Sequence, residues 1–313
     1  MKTLVLEKMP DLFWQKIKKN NWQKYFITTK TVNNHNETEI LIIRTNTIVD
    51  ADLLDKLPGL KLIIRAGTGY DNIDFTAAQE RNILATNTPE ANVQAAFEHT
   101  IALLFALIKQ VEIGKKSLKN NNWKINIPLA LELNQLKVAV VGVGRIGTKV
   151  VRFLQNLKAE VVGVDPYLEE SRWRKLHIKK MRYEQAIQWC NLLTFHCPLT
   201  RETENYFSKD TVDRLTEPIY LINTSRGKVV AEDALKIGLQ QNKLLGAALD
   251  VFEKEPWEYR TFFNNYNVIV TPHQGAHSIK AKERMAFETL KIWENFVFNQ
   301  QFNSKIDKRF IYR

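Results

Sequence analysis

Cysteine is scarce in this 313-residue chain: Cys190 and Cys197 lie seven positions apart, with no second pair. That excludes a disulfide framework and a zinc pattern, and it fits a reducing cytosol. Long hydrophobic runs are missing as well. The longest, HTIALLFALI (99–108), is about half of the 18–20 residues a bilayer span needs, so it reads as a buried helix. The opening MKTLVLEKMPDLFW has no long apolar segment and no small-residue cleavage site, which excludes a secretory signal pattern. There is no low-complexity linker and no fixed-period repeat. Dense basic blocks are absent too. The net charge is +11, yet the lysines are scattered, in short runs only: KIKK at 16–19 and KK at 115–116 and 179–180. This predicts a solvated basic surface with no nucleic-acid or membrane face, and a field that helps draw in an anionic substrate.

What is present is 44% hydrophobic and 25% charged, the mix of a globular protein whose length suggests two domains or one large α/β unit. EILIIRT (39–45) and LKLIIRAG (60–67) read as buried parallel strands, each ending in an arginine and a polar turn. ADLLDKLPG between them reads as a short helix stopped at Pro58–Gly59, and NILATNTP (82–89) as a third strand. A helical pattern runs from Pro89, suited to a first turn, to Lys116. LKVAVVGVGRIGTKVVRFLQ (136–155) then joins an apolar run, a glycine-rich turn and an amphipathic helix. AEVVGVD (159–165), NLLTFHCPLT (191–200), IYLINTSRG (219–227), LLGAALDVF (244–252) and NVIVTPHQG (267–275) continue the series of strands, and the region after about residue 285 is helical. The alternation predicts an α/β chain with a doubly wound, mostly parallel sheet.

GVGRIG (142–147) matches G-x-G-x-x-G, follows an apolar strand, opens a helix, and has Asp165 at the end of the next strand. Gly142 permits the tight turn, Gly144 lets the backbone approach a pyrophosphate, and Gly147 lets helix and strand pack closely. The helix amino terminus presents N–H groups to the anion, and Asp165 suits both hydroxyls of a ribose while repelling a 2′-phosphate. The cofactor expected here is NAD. Because the motif sits mid-chain, the nucleotide domain is expected to follow, or be inserted into, another unit.

RAGTGYDNID (65–74), NTPEANVQAAFEHTIAL (87–103), VGVGRIG (141–147), HCPLT (196–200), NTSRG (223–227), ALDVFEKEP (248–256) and TPHQGA (271–276) appear in that order. With them the chain resembles the D-isomer-specific 2-hydroxyacid dehydrogenase family, and within it the D-3-phosphoglycerate dehydrogenase branch, over about residues 40 to 290. The resemblance implies two Rossmann-like domains: a substrate domain built from both chain ends (1–97 and 287–313) and an inserted NAD-binding domain (98–286). It also implies a homodimer, cytoplasmic placement, and a small anionic 2-hydroxy or 2-keto acid as the partner molecule.

Hydride transfer to and from a secondary alcohol needs one titratable group and one cation. His273 follows a strand and precedes Gly275, which puts it on a loop at the carboxyl edge of a sheet, where ligands bind. By resemblance Glu255 is its carboxylate partner, fixing the tautomer and tuning the ring. Arg226, at the end of IYLINTSR, has the planar fork that binds a carboxylate at two points. The candidate catalytic set is thus Arg226, Glu255 and His273. The resemblance assigns to the cofactor Thr68, Gly142, Gly144, Arg145, Ile146, Gly147, Asp165, Cys197, Thr224, Ser225, Asp250, Gly275 and Ala276. Asp250 is given the nicotinamide side. Arg44 and Arg65 match positions used for an anionic substrate, and the turn Ala66–Gly67 can offer backbone N–H groups to a carboxylate. His277, four residues past His273, lacks an H-E-x-x-H context because position 274 is Gln, so it is read as a bystander and no metal is expected. His99 and His196 are read as support for packing or the cofactor pocket.

Two departures stand out. Leu133–Asn134 replaces the glycine that relatives have before the first nucleotide-domain strand, and Ala231–Glu232–Asp233 replaces their acidic pair. The chain ends at Arg313, which implies no appended regulatory domain of the serine-binding kind. The activity expected is oxidation of D-3-phosphoglycerate to 3-phosphohydroxypyruvate at the start of serine synthesis. The rivals are a hydroxypyruvate, glyoxylate or general 2-ketoacid reductase, and, in another class, an NAD-responsive corepressor-like binding protein.

Overall fold

The computed structural model describes residues 1–29, 36–123, 129–258 and 261–302. The chain divides into two compact units, Met1–Gln94 with Ala276–Arg313, and Ala95–Gly275.

The first unit opens with strand β1 (Lys2–Val5), helix α1 (Asp11–Lys19), β2 (Phe26–Thr28) and β3 (Thr38–Ile43). It continues through α2 (Ala51–Asp55), β4 (Leu62–Arg65), α3 (Phe75–Glu80) and β5 (Leu84–Asn87). The strands form a parallel sheet in the order β2-β1-β3-β4-β5. Asp50 and Asp74 cap α2 and α3, each accepting the third backbone N–H of its helix at 2.9 Å.

In the second unit, α4 (Val93–Ile108) starts just before the boundary and is followed by α5 (Val111–Lys119). The sequence pattern from Pro89 to Lys116 reads as one helical stretch; the structure interrupts it. Pro89 lies in a turn ahead of α4, and Gln110 takes a left-handed conformation (φ 55°) that ends one helix and starts the next. Then come β6 (Lys137–Val141), α6 (Arg145–Asn156), β7 (Glu160–Val164), α7 (Glu170–Leu176) and the two-residue β8 (Lys179–Lys180). The unit closes with α8 (Tyr183–Trp189), β9 (Leu192–Phe195), α9 (Lys209–Arg214), β10 (Ile219–Asn223), α10 (Glu232–Gln240), β11 (Leu244–Leu249) and β12 (Val268–Val270). The seven strands are parallel in the order β12-β11-β10-β9-β6-β7-β8, the doubly wound arrangement whose switch point lies between β6 and β9.

Strand side chains alternate between two cores. Val138 and Val140 of β6 pack under α4 and α6, while Ala139 and Val141 face the side holding Phe195, Leu221 and Leu249. That double coverage is why these strands read as unbroken apolar runs. Helix α11 (Ile279–Asn299) returns to the first unit. Its Met285, Ala286, Leu290 and Trp293 bury against Val5, Phe13, Ile42 and Ile64, and Trp293 Nε1 donates to Thr3 Oγ1 at 2.7 Å. Residues 276–286, expected with the nucleotide domain, therefore cluster with the first unit. Of the expected terminal stretch 287–313, residues 303–313 fall outside the described residues.

Candidate active site

At the switch point the backbone runs very close to itself. Gly142 has φ 87°, and a Cβ there would lie 2.5 Å from the Cys197 backbone nitrogen, so only glycine lets the turn after β6 touch the loop after β9. Gly147 packs its α-carbon against the Gly142 carbonyl. Gly144, the N-cap of α6, is different: no side chain caps the helix, and a Cβ would meet nothing within 4 Å. Open space thus lies at the positive end of a helix whose first turn holds Arg145, Ile146 and Gly147. Asp165 stands beside it after β7. Its Oδ2 accepts the Val143 N–H at 2.9 Å and its Oδ1 the Tyr167 N–H at 3.0 Å, which fixes the carboxylate against the turn. An open helix terminus with a fixed acidic acceptor alongside suits a dinucleotide without a 2′-phosphate.

The loops after β9 and β10 complete this edge. Burial pushes the Cys197 thiol up to about 12; the nearby Asp165 charge adds to this and Arg226 opposes it. The thiol stays protonated, and both charged groups act on it across the switch point. His196 is half-buried, with Nε2 3.0 Å from Thr194 Oγ1, and burial lowers it to about 3, so it stays neutral near pH 7. After β10, Thr224 Oγ1 pairs with Thr100 Oγ1 at 2.8 Å, and Ser225 Oγ donates to Asn223 Oδ1 at 2.9 Å. Arg226 is half-buried and donates from Nη1 to the Ser225 carbonyl at 2.7 Å.

Asp250, just past β11, is 2% exposed and gathers the next loop around itself. Its Oδ1 takes the Thr271 hydroxyl at 2.6 Å and the Gln274 N–H at 2.8 Å, and its Oδ2 takes the Gly275 N–H at 2.8 Å. His99 Nε2 lies 3.2 Å from Oδ1 and 3.0 Å from Thr271 Oγ1. Burial raises the Asp250 pKa, but the bonds from His99, Thr271, Gln274 and Gly275 outweigh it and hold the carboxyl below the ordinary range. The Asp250 side chain thereby organises the loop that carries His273.

His273 itself is partly exposed, and its Nδ1 lies 2.7 Å from Glu255 Oε2. The other carboxylate oxygen of Glu255 accepts the Phe252 N–H at 3.1 Å. The sequence-predicted residues Arg226, Glu255 and His273 thus all project from the carboxyl edge of the second unit's sheet, two of them in direct contact. Gly227 ties the first to the second: its α-carbon packs so closely on the Phe252 carbonyl that a Cβ would lie 1.8 Å from that oxygen. The Arg226 loop and the Glu255 loop share this backbone contact.

In the first unit, Arg44 follows β3 and Arg65 ends β4, and Arg65 Nη2 reaches Thr45 Oγ1 at 3.4 Å. The Arg65 guanidinium folds over Gly67, next to Ala66, and Asn87 Nδ2 donates to the Thr68 carbonyl at 2.6 Å. Arg44 Nη1 donates to the Lys8 carbonyl at 2.9 Å. Sequence reasoning missed Glu7: its Oε1 accepts the N–H groups of Arg44 at 2.7 Å and Thr47 at 3.1 Å, and its Oε2 that of Asn46 at 3.2 Å. Asn72 holds the same loop from its carbonyl side, bonding Arg44 and Thr47 at 2.9 and 2.6 Å. Ala276 opens the return to this unit, accepting from Ser278 N–H at 2.9 Å. His277 Nε2 lies 2.8 Å from Lys282 Nζ. Among the described residues no group of three His, Cys, Asp or Glu side chains converges as a metal site, and no helix is long and apolar enough to cross a membrane.

The sequence profile described as D-isomer specific 2-hydroxyacid dehydrogenase, NAD binding domain, matches residues 101–275. The chain belongs to that family. Residues 101–275, with their glycine turn, are its NAD-binding domain. D-3-phosphoglycerate dehydrogenase 2, chloroplastic, of Arabidopsis thaliana is 37% identical over 254 residues, covering 80% of this chain and 41% of the relative. D-3-phosphoglycerate dehydrogenase of Bacillus subtilis (strain 168) is 33% identical over 248 residues, covering 79% of this chain and 47% of the relative. The chain spans less than half the length of these curated relatives. The solved D-lactate dehydrogenase from Aquifex aeolicus, complexed with NAD and lactic acid, superposes with a TM-score of 0.85 at 26% identity, covering 96% of each chain.

Proposed function

We propose that the chain is an NAD-dependent oxidoreductase that moves a hydride between NAD and a D-2-hydroxyacid, with D-3-phosphoglycerate and 3-phosphohydroxypyruvate as its substrate pair. The observation that carries this reading is the 2.7 Å contact between Glu255 Oε2 and His273 Nδ1. With Nδ1 so engaged, Nε2 is the ring atom turned to proton transfer. NAD, when bound, supplies the hydride acceptor, or as NADH the donor. The chain's own part is to take the hydroxyl proton on His273 Nε2 in oxidation, or give it to the forming alkoxide in reduction, while Arg226 holds the substrate carboxylate.

The nucleotide would be held in the second unit by Gly142, Gly144, Arg145, Ile146, Gly147, Asp165, Cys197, Thr224, Ser225 and Gly275. The unit built from both chain ends serves as the substrate domain. The phosphorylated substrate is supported by the names of the curated relatives and by Arg44, next to Thr45, together with Arg65, whose Nη2 reaches Thr45 Oγ1. Ala66 and Gly67 would present backbone N–H groups to the same anion. A second reading, an unphosphorylated 2-ketoacid, is favoured by one detail: Arg44 already directs Nη1 at the Lys8 carbonyl. A cytoplasmic homodimer is part of the reading.

The test follows NADH absorbance as purified protein is offered 3-phosphohydroxypyruvate, hydroxypyruvate, glyoxylate and pyruvate in turn. A preference for the phosphorylated acid is expected. Faster turnover of the others removes the pathway assignment and keeps the chemistry. NADH binding without turnover of any acid brings the corepressor-like reading forward.

A further inference from the structure

The carboxylate that meets His273 rides on a short, exposed stretch closed by two aromatic rings. Phe252 and Trp257 stack with centroids 4.2 Å apart and planes 11° from parallel, and Trp257 also meets the buried Phe263 at 6.0 Å. Between the rings the chain passes through Glu253, Lys254, Glu255 and Pro256, all exposed. The Phe252 end is pinned by backbone: its N–H goes to Glu255 Oε1 at 3.1 Å, and its carbonyl packs on Gly227. Glu253 Oε1 accepts the Glu232 N–H at 2.6 Å, fastening the second residue of the stretch to the start of α10. The far end, beyond Glu255, is fastened by the Trp257 ring, half-buried against Phe252 and the core under it.

We propose that Trp257 is a positioning residue for Glu255: its stack on Phe252 closes the 252–257 stretch and so sets the direction of the carboxylate toward His273 Nδ1. This rests on the reading of His273 and Glu255 given above. An exposed carboxylate samples many rotamers, and a stretch fastened at both ends confines it to the few that reach the imidazole. Offset aromatic stacking suits the purpose because it is tight and independent of pH.

The test compares Trp257→Leu, Trp257→Phe, Glu255→Gln and His273→Asn. Ketoacid reduction gives kcat and KM, fluorescence titration gives NADH affinity, and thermal unfolding checks the fold. The downfield proton resonance of the His273 Nδ1–H, identified by its loss in His273→Asn, is read without turnover. Trp257→Leu is expected to lower kcat roughly 10- to 100-fold with KM and NADH affinity near wild type. It should also lose the downfield resonance, and Trp257→Phe should restore both. Where Trp257→Leu does not fold, Phe252→Leu removes the same stack. A folded Trp257→Leu that keeps the resonance and kcat, or a Trp257→Phe that restores neither, overturns the positioning role alone. Glu255→Gln that keeps both overturns the reading of the site together with it.

Discussion

The backbone N–H of His273 donates to the carbonyl of Asp250 at 2.8 Å, and the Asp250 carboxylate takes the N–H groups of the next two residues. The candidate proton carrier therefore hangs from a buried aspartate. His273 itself has φ 48°, a conformation that a non-glycine residue holds only where its surroundings impose it. Strand β11 delivers Asp250, strand β12 delivers the loop, and His99 and Thr271 complete the shell around the carboxylate.

Replacing Asp250 by Asn leaves the volume and removes the charge, and it turns an amide N–H₂ either toward the Gly275 donor or toward those of Thr271 and Gln274. Loss of about 2–4 kcal/mol of stability at pH 7 is expected, because several buried donors lose a charged acceptor. The sign with pH follows from the depressed carboxyl. Its contribution is complete above the unfolded value, 3.8, and is lost as pH falls through the lower folded value. The difference in thermal midpoint between wild type and Asp250→Asn should thus be constant from pH 7 to 5 and shrink below about pH 4. A difference that grows on acidification contradicts this account.

The sheet was legible where strands are covered on both faces, as in VAVV of β6 or LIIR of β4, since burial on two sides writes a continuous apolar run. Edge strands carry it unevenly: β5 and β12 lie within NILATNTP and NVIVTPHQG, which read as strands, whereas β2 and β8 do not. β8 is two exposed lysines, and β2 is two half-buried residues and an exposed threonine, so neither stood out from its surroundings. The break between α4 and α5 was hidden for another reason: Gln110 is neither Gly nor Pro, and tertiary contacts hold its positive φ. Residues of the site were readable because each sits in a local motif such as NTSRG or TPHQGA. Their braces were not. Glu7 acts on a loop 37 positions away, His99 meets Thr271 across 172, and the Phe252–Trp257 stack has no periodic pattern to reveal it.

For the cofactor, Asp165 accepts two backbone N–H groups, and the proposed reading gives it the exclusion of a 2′-phosphate. Asp165→Ser removes the charge and the ribose acceptors together. Fluorescence titration should show NADH binding weakened about 10- to 100-fold, the loss of one or two charge-assisted hydrogen bonds. NADPH binding should weaken less or improve, narrowing the preference. Unchanged discrimination would place cofactor selection elsewhere.

For the chemistry, His273→Asn should lower kcat by roughly 10²- to 10⁴-fold while NADH still binds, the usual weight of a positioned acid or base. Glu255→Gln should cost less, about 10- to 100-fold, since the ring remains and only its partner is lost. Because Glu255 acts through His273, the double variant should be no slower than His273→Asn alone. Additive losses would mean that Glu255 has a separate task at the substrate.

The anion site proposed for the first unit offers a test that does not touch an arginine. Glu7 is partly buried, which raises its pKa, but bonds from Arg44, Asn46 and Thr47 prevail and hold it below the ordinary carboxyl range. The loop from 44 to 47 is therefore organised by a charge at neutral pH. Glu7→Gln keeps the shape yet gives up the strength of a charged acceptor facing three N–H donors. If Arg44 binds the phosphate of the substrate, KM for 3-phosphohydroxypyruvate should rise several-fold in Glu7→Gln, about as expected when one charge-assisted bond is weakened. KM for hydroxypyruvate, which carries no phosphate, should hardly move, and kcat should hold for both. Wild type should lose the same advantage only as pH falls through the folded value of Glu7, which lies below its ordinary 4.5, because protonation removes the charge that Gln lacks at every pH. An equal rise of KM for both acids would mean that the loop serves the carboxylate end of the substrate, and Arg44 would then lose its place in the phosphate reading.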